Sequence, residues 1–203
     1  MINITRRYEA VEETRQALKK HIDLFWPDNP KEYLIYEEGP LKDMLPDWHV
    51  IEIAPKEAGK PWVYVTLGGW ESTKDEVGEF GRYGLEFFIV SPNKDLTHVS
   101  TLAMVAFYNA NPQHRIKLGD ALEIGYAWLE NSSCDHFLVS LPYPFTSDLE
   151  TVKINDIYVS FWWLAPITKS EAQYVRSNSS EALWEKFDEA RPDFLEASRR
   201  SVV

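Results

Sequence analysis

Pro61-Trp62-Val63-Tyr64-Val65-Thr66-Leu67-Gly68-Gly69 is the stretch that decides the fold. Trp62, Tyr64 and Thr66 alternate with Val63, Val65 and Leu67. Such β-branched and aromatic residues suit a pleated strand. Both faces are bulky, so the strand is expected to be buried on both sides. The two glycines end it. Downstream, Glu71, Asp75, Glu76 and Glu79 with Gly78 and Gly81 read as an acidic loop over 70–82. Gly84 then opens a second dense apolar strand, 85–90, closed by Pro92. Upstream, 50–53 reads as a strand closed by Pro55, and 33–48 as a loop or short irregular strands.

Residues 5–25 read as an amphipathic helix, because Tyr8, Val11, Leu18 and Ile22 recur at three- and four-residue multiples. Pro27 and Pro30 stop it. Asp95 or Thr97 can cap a second helix that runs to about Ala110. Gly119-Asp120 signals a turn before a strand over 122–128, and 131–133 makes another turn before a strand over 136–141. Asn155-Asp156, between apolar runs 151–154 and 157–164, predicts a tight hairpin. In the latter run, adjacent Trp162 and Trp163 would face opposite sides. Thr168 with Glu171, and Asn178 with Glu181, have capping-box spacing, so two short helices are expected to follow. Leu183, Trp184 and Phe187 would pack inward, Pro192 would end the second helix, and 198–203 would be a frayed tail. Strands fill the middle and helices the ends, without strict βαβ alternation. That order predicts an α+β fold, a mixed and largely antiparallel sheet flanked by helices, in one domain spanning 1–203.

The 203 residues are 44% hydrophobic and include eight Trp, ten Tyr and ten Phe, enough to build a core. Thirty-two acids against 21 Lys and Arg leave a net charge of −11. That field repels nucleic-acid phosphates and anionic membranes, and favours a basic partner. One cysteine, Cys134, cannot form an internal disulfide, which fits a reducing compartment. The N-terminus has no apolar signal core, and the longest apolar run, 157–167, falls short of a membrane span. A cytoplasmic location is expected.

Catalytic signatures are scarce. Cys134 and His136 are two apart, so on a regular strand they would share a face, and a small hydrolase using that pair or carboxylates is one alternative reading. The other is a buried cysteine. No two of the five histidines lie within four residues of each other, so no zinc site is expected. The acidic loop lacks the ligand spacing of an EF-hand. Gly78, Gly81 and Gly84 do not have the spacing of a dinucleotide-binding loop, and no cofactor is expected.

Trp62-Val63-Tyr64-Val65-Thr66-Leu67-Gly68 looks like a Trp-x-Tyr-x-x-x-Gly strand, and Gly84-Leu85-Glu86-Phe87-Phe88 like a Gly-Phe-Glu-Leu strand. With the helix around 102–108, Gly119-Asp120, the strand through His136-Phe137-Leu138, the 157–164 strand and Thr168-x-x-Glu171, the order resembles the Suppressor of fused family over about 48–187. The resemblance implies a protein-binding module. The eukaryotic member has two domains that clamp an extended peptide, which adds as a strand; this chain resembles the N-terminal domain alone. Tyr108 and Asp120 are similar in position to a tyrosine and an aspartate that line that groove, and so are implied partner-binding residues. Asp120 can equally serve to shape the turn after Gly119, and Tyr108 to pack as a helix-face aromatic. Leu141 and Pro142 stand where the family carries an acidic pair, so the peptide specificity is not carried over. Bacterial single-domain relatives are associated with immunity against secreted polymorphic toxins, which implies an immunity-protein role.

Overall fold

The structure, a computed structural model, describes residues 4–36, 39–78 and 81–203, with the side chains of the first helix from Glu9 onward. Glu79 and the side chain of Tyr8 lie outside the described residues. The elements are α1 (Ile4–Phe25), β1 (Lys31–Ile35), α2 (Leu41–Met44), β2 (His49–Ile53), β3 (Trp62–Leu67), β4 (Val77–Gly78), β5 (Gly81–Ser91), α3 (Thr97–Ala110), β6 (Ala121–Glu123), β7 (Cys134–Ser140), β8 (Thr151–Ile154), β9 (Ile157–Thr168), α4 (Lys169–Ser177) and α5 (Ser180–Ala190). One sheet runs β1-β2-β3-β5-β9-β7-β6, with β4 beside β5 and β8 beside β9. Among the described residues only β5 and β9 pair in parallel. The α+β expectation is met.

Helices cover both faces, so there are two cores. Leu18 and Ile22 of α1, Ala172 of α4, and Leu183 and Phe187 of α5 pack on one face against Val63, Val65 and Leu67. Leu102, Val105 and Ala106 of α3 and Leu41 of α2 pack on the other, against Tyr64, Phe87 and Ile89. The double-sided bulk of β3 follows from this layering. Trp163 is buried in the first core, while half-buried Trp162 packs on the second. Each fully buried Leu, Ile or Phe contributes about 1.5–3 kcal/mol of transfer free energy.

Several boundaries differ from the sequence reading. The 33–48 stretch contains the end of β1 and the single turn α2. β5 starts at Gly81, not Gly84, because its first residues pair with β4. β6 stops at Glu123 instead of running to 128, since Gly125 takes φ +77°. β9 continues through Pro166 to Thr168. The box at Thr168 and Glu171 forms in both directions. α5, however, is capped by Ser179, whose hydroxyl accepts from Ala182 N–H at 3.1 Å; Asn178 instead ends α4. The tail is docked, not frayed. Arg199 donates to both oxygens of fully buried Glu171 at 2.8 and 2.7 Å and to Pro166 O at 2.7 Å.

Candidate partner-binding site

The site begins with the turn that enters β6. Gly119 N–H donates to Val139 O at 2.8 Å, and Val139 N–H donates to Asp120 O at 2.9 Å, so the turn is welded to β7. Gly119 has φ +87°, and a Cβ there would lie 2.5 Å from the Ser180 hydroxyl. Glycine is required by both the left-handed backbone and the start of α5. Asp120 Oδ2 accepts from Lys117 N–H at 2.8 Å. Its carboxylate therefore shapes the turn, yet it stays half-exposed and has no ion-pair partner among the described residues.

β6 is an outer strand of the sheet. Ile124 N–H donates to Asp135 O at 3.1 Å, so the positions bonded to β7 are 120, 122 and 124. By the antiparallel alternation, Ala121 and Glu123 turn their N–H and C=O outward. An outward row of this kind is a template for an added strand. Glu123 is exposed and adds a second negative charge.

Tyr108 sits in the last turn of α3, on the helix that covers the same core as β6's neighbour β7. It is 47% exposed and stacks on His114, with ring centroids 5.0 Å apart and planes 10° apart. It does not pack into the core. Arg115 anchors this corner: it donates to Glu76, to Asn109 O and, at 2.8 Å, to Ser72 O. Among the described residues no hydrogen bond joins Tyr108, at the end of α3, to Asp120, at the entry to β6.

Within the acidic 70–82 stretch, the described carboxylates of Glu71 and Glu76 are tied down, and 77–78 and 81–82 belong to β4 and β5. Glu71 is paired with Arg15 at 2.9 Å and Lys74 at 3.7 Å, and Glu76 with Arg115 and the Tyr83 hydroxyl. Among the described residues no cluster of three metal-ligating side chains occurs.

The Cys134/His136 pair does not assemble. A bulge at Asp135 sets Cys134 opposite Thr168 and His136 opposite Ile167, consecutive residues that face opposite sides. Cys134 lies in the α3-side core beside Phe137, while His136 Nδ1 contacts Asp135 Oδ1 at 2.7 Å. Burial pushes the thiol up, the wrong direction for a nucleophile.

Two buried carboxylates are not marked by local pattern: Glu52, which Lys94 reaches at 2.6 Å, and Glu86. Glu86 is fully buried and accepts from Gly68 N–H at 2.8 Å, Gly69 N–H at 3.2 Å, Trp70 N–H at 3.3 Å and the Thr66 hydroxyl. Burial outweighs these donors and pushes its pKa up to about 7. Four donors already surround it, so it clamps the turn after β3 onto β5. Gly84 belongs to the same device, since a Cβ there would lie 2.6 Å from Trp70 Cβ. For Glu86 the chain offers only the hint of a glutamate within an apolar strand, two residues after a glycine.

Among the described residues no helix is long and apolar enough to cross a membrane. The family model "SUFU: Suppressor of fused protein (SUFU)" matches residues 46–200. A SUFU (suppressor of fused protein) homolog from Neisseria gonorrhoeae FA 1090 is 36% identical with a TM-score of 0.80, over 93% of this chain and 96% of its own. The Sufu-Fu complex aligns with a TM-score of 0.67 at 13% identity, over 92% and 91% of the two chains. Drosophila Suppressor of Fused aligns at 0.65 and 14% identity, over 91% of this chain and 50% of its own. At 13% and 14% identity the likeness is one of fold alone. No curated protein matches the chain.

Proposed function

The chain belongs to the Suppressor of fused (SUFU) family, and from that premise we propose that it is a non-catalytic, cytoplasmic protein-binding module. It grips an extended, basic segment of another protein, which adds as a strand along β6 beside Asp120, with exposed Tyr108 at the end of α3 as a second point of contact. The observation that carries this reading is the open backbone at Ala121 and Glu123, next to a carboxylate that no cation among the described residues neutralises. A net charge of −11 supports fast, salt-sensitive capture of a cationic partner. That a neighbour in fold was solved as the Sufu-Fu complex supports partnership with protein. The finer reading is that the partner is a secreted polymorphic toxin and the chain its immunity protein.

Affinity capture from the native cell tests this, followed by titration of the recovered partner. Asp120→Asn keeps an acceptor for Lys117 N–H but removes the charge. It is expected to melt like the wild type and to bind about 5-fold more weakly at low salt, with the gap narrowing as salt rises. Recovery of no stoichiometric protein at any salt overturns the reading, as does undiminished low-salt binding by Asp120→Asn.

A further inference from the structure

The sheet has a second free border, at the opposite end from β6. Among the described residues β1 pairs only with β2. Ala54 N–H donates to Pro30 O at 2.9 Å, which fixes the phase of the pairing: Glu32 and Leu34 exchange bonds with Glu52 and Val50. Lys31, Tyr33 and Ile35 therefore turn three N–H and three C=O groups outward. Two of these residues also carry large exposed apolar side chains, Tyr33 at 45% and Ile35 at 61%. A five-residue open strand with apolar side chains is the kind of edge that proteins otherwise hide or blunt.

What fits this edge is decided by charge. The chain carries −11 overall, yet the described charged side chains on and beside β1 are paired with one another. Lys31 pairs with Asp23 at 2.8 Å, and Lys94 pairs with Glu52 at 2.6 Å and Glu32 at 3.7 Å. Lys19 lies 4.9 Å from the Tyr33 ring centre. Glu32, the one carboxylate on the strand itself, is thus already engaged when a second copy approaches. A basic segment gains no free counter-charge from Asp23, Glu32 or Glu52, which lysines of the same chain already hold.

The sequence is also compatible with itself. If two copies of Lys31–Ile35 run antiparallel with Tyr33 opposite Tyr33, Lys31 faces Ile35 and Glu32 faces Leu34. Within these five residues no like charges stand directly opposite, and the central aromatic pair is a favourable cross-strand combination. Tyr33 is an outward-bonding position, so the two-fold axis passes through a bonded pair. We propose that β1 is a homodimerisation edge, joining two copies through a two-fold axis at Tyr33 into one continuous sheet. Such an interface is closed, since each edge is used by its own counterpart. It leaves both β6 edges free at the far ends, so the dimer presents two copies of that border. The inference does not rest on the partner reading of β6.

Sedimentation of the purified full chain across roughly 1–200 µM tests it. The wild type is expected to pass from monomer mass to twice that mass within this range. The double variant Tyr33→Lys, Ile35→Lys is expected to stay monomeric with an unchanged circular dichroism spectrum. The register is read separately. Opposite residues of a bonded antiparallel pair have Cα atoms about 5.5 Å apart, so Tyr33→Cys is expected to cross-link copy to copy with a short thiol-reactive bridge. Thr151→Cys, exposed on β8, is not. Buried Cys134 does not compete. A wild type that stays at monomer mass throughout overturns the proposal. So does a dimer that survives both lysines, or one in which the Tyr33→Cys variant fails to cross-link.

Discussion

Replacing Arg199 by methionine puts the docked tail to the test. The guanidinium is one half of a buried, two-pronged ion pair with Glu171, a residue without solvent exposure. It also satisfies Pro166 O at 2.7 Å and lies 5.4 Å from the Phe194 ring centre and 5.7 Å from that of Phe187. Methionine fills much of the same space, so the cavity contribution is small. What is lost is the counter-charge of a buried carboxylate, and removing one partner of such a pair costs about 3–5 kcal/mol. Glu171 keeps Thr168 N–H at 2.8 Å and Val202 N–H at 3.1 Å, which places the expected loss near the lower end. For a domain of this size each kcal/mol moves Tm by about 2–4 °C, so the expected drop is roughly 6–12 °C. Lysine at 199 keeps the charge but cannot span both carboxylate oxygens and Pro166 O, and is expected to fall between the two. Thermal melts of all three proteins at low and high salt are the assay. Salt should leave the difference nearly intact, because the pair is shielded from solvent. A methionine variant melting within about 2 °C of the wild type would refute the reasoning, and the tail would then add little to stability.

Glu86→Gln decides between burial and the four donors around that carboxylate. A pKa of about 7 means the folded state holds the proton more tightly than the unfolded chain. The corresponding stability is present below about pH 4.5 and is lost as pH rises through about 7, a change of about 3 kcal/mol. The advantage of wild type over the glutamine variant in urea melts should therefore shrink between these values; an advantage that grows would show the donors winning. For Cys134, burial and a raised thiol pKa predict labelling by a soluble thiol reagent at the rate of global opening, accelerating only with denaturant. Stoichiometric labelling within seconds in native buffer would contradict the buried placement.

The resemblance motifs acquire a structural meaning from these contacts. Gly68, Gly84 and Glu86, drawn from two motif strands, meet in one clamp at the end of β3. They hold the fold, and they stand apart from Tyr108 and Asp120, which the same resemblance implies as binding residues.

Features encoded by neighbouring residues were legible in the chain itself. The alternation of β3, the hairpin at Asn155-Asp156 and the reciprocal cap of Thr168 and Glu171 each depend on side chains a few positions apart. Features built from distant residues were not. Residues 82–88 lie parallel against 157–163, and only the packed sheet determines that neighbour. The bulge that separates Cys134 from His136 arises from the register against β9, which no local periodicity encodes. Arg199 reads as a charge in a polar tail, and becomes a core residue only because Glu171, 28 positions earlier, is waiting without solvent. Local steric and hydrogen-bonding preferences act within a turn or two of chain, whereas desolvation and strand pairing are settled by whatever the fold brings alongside.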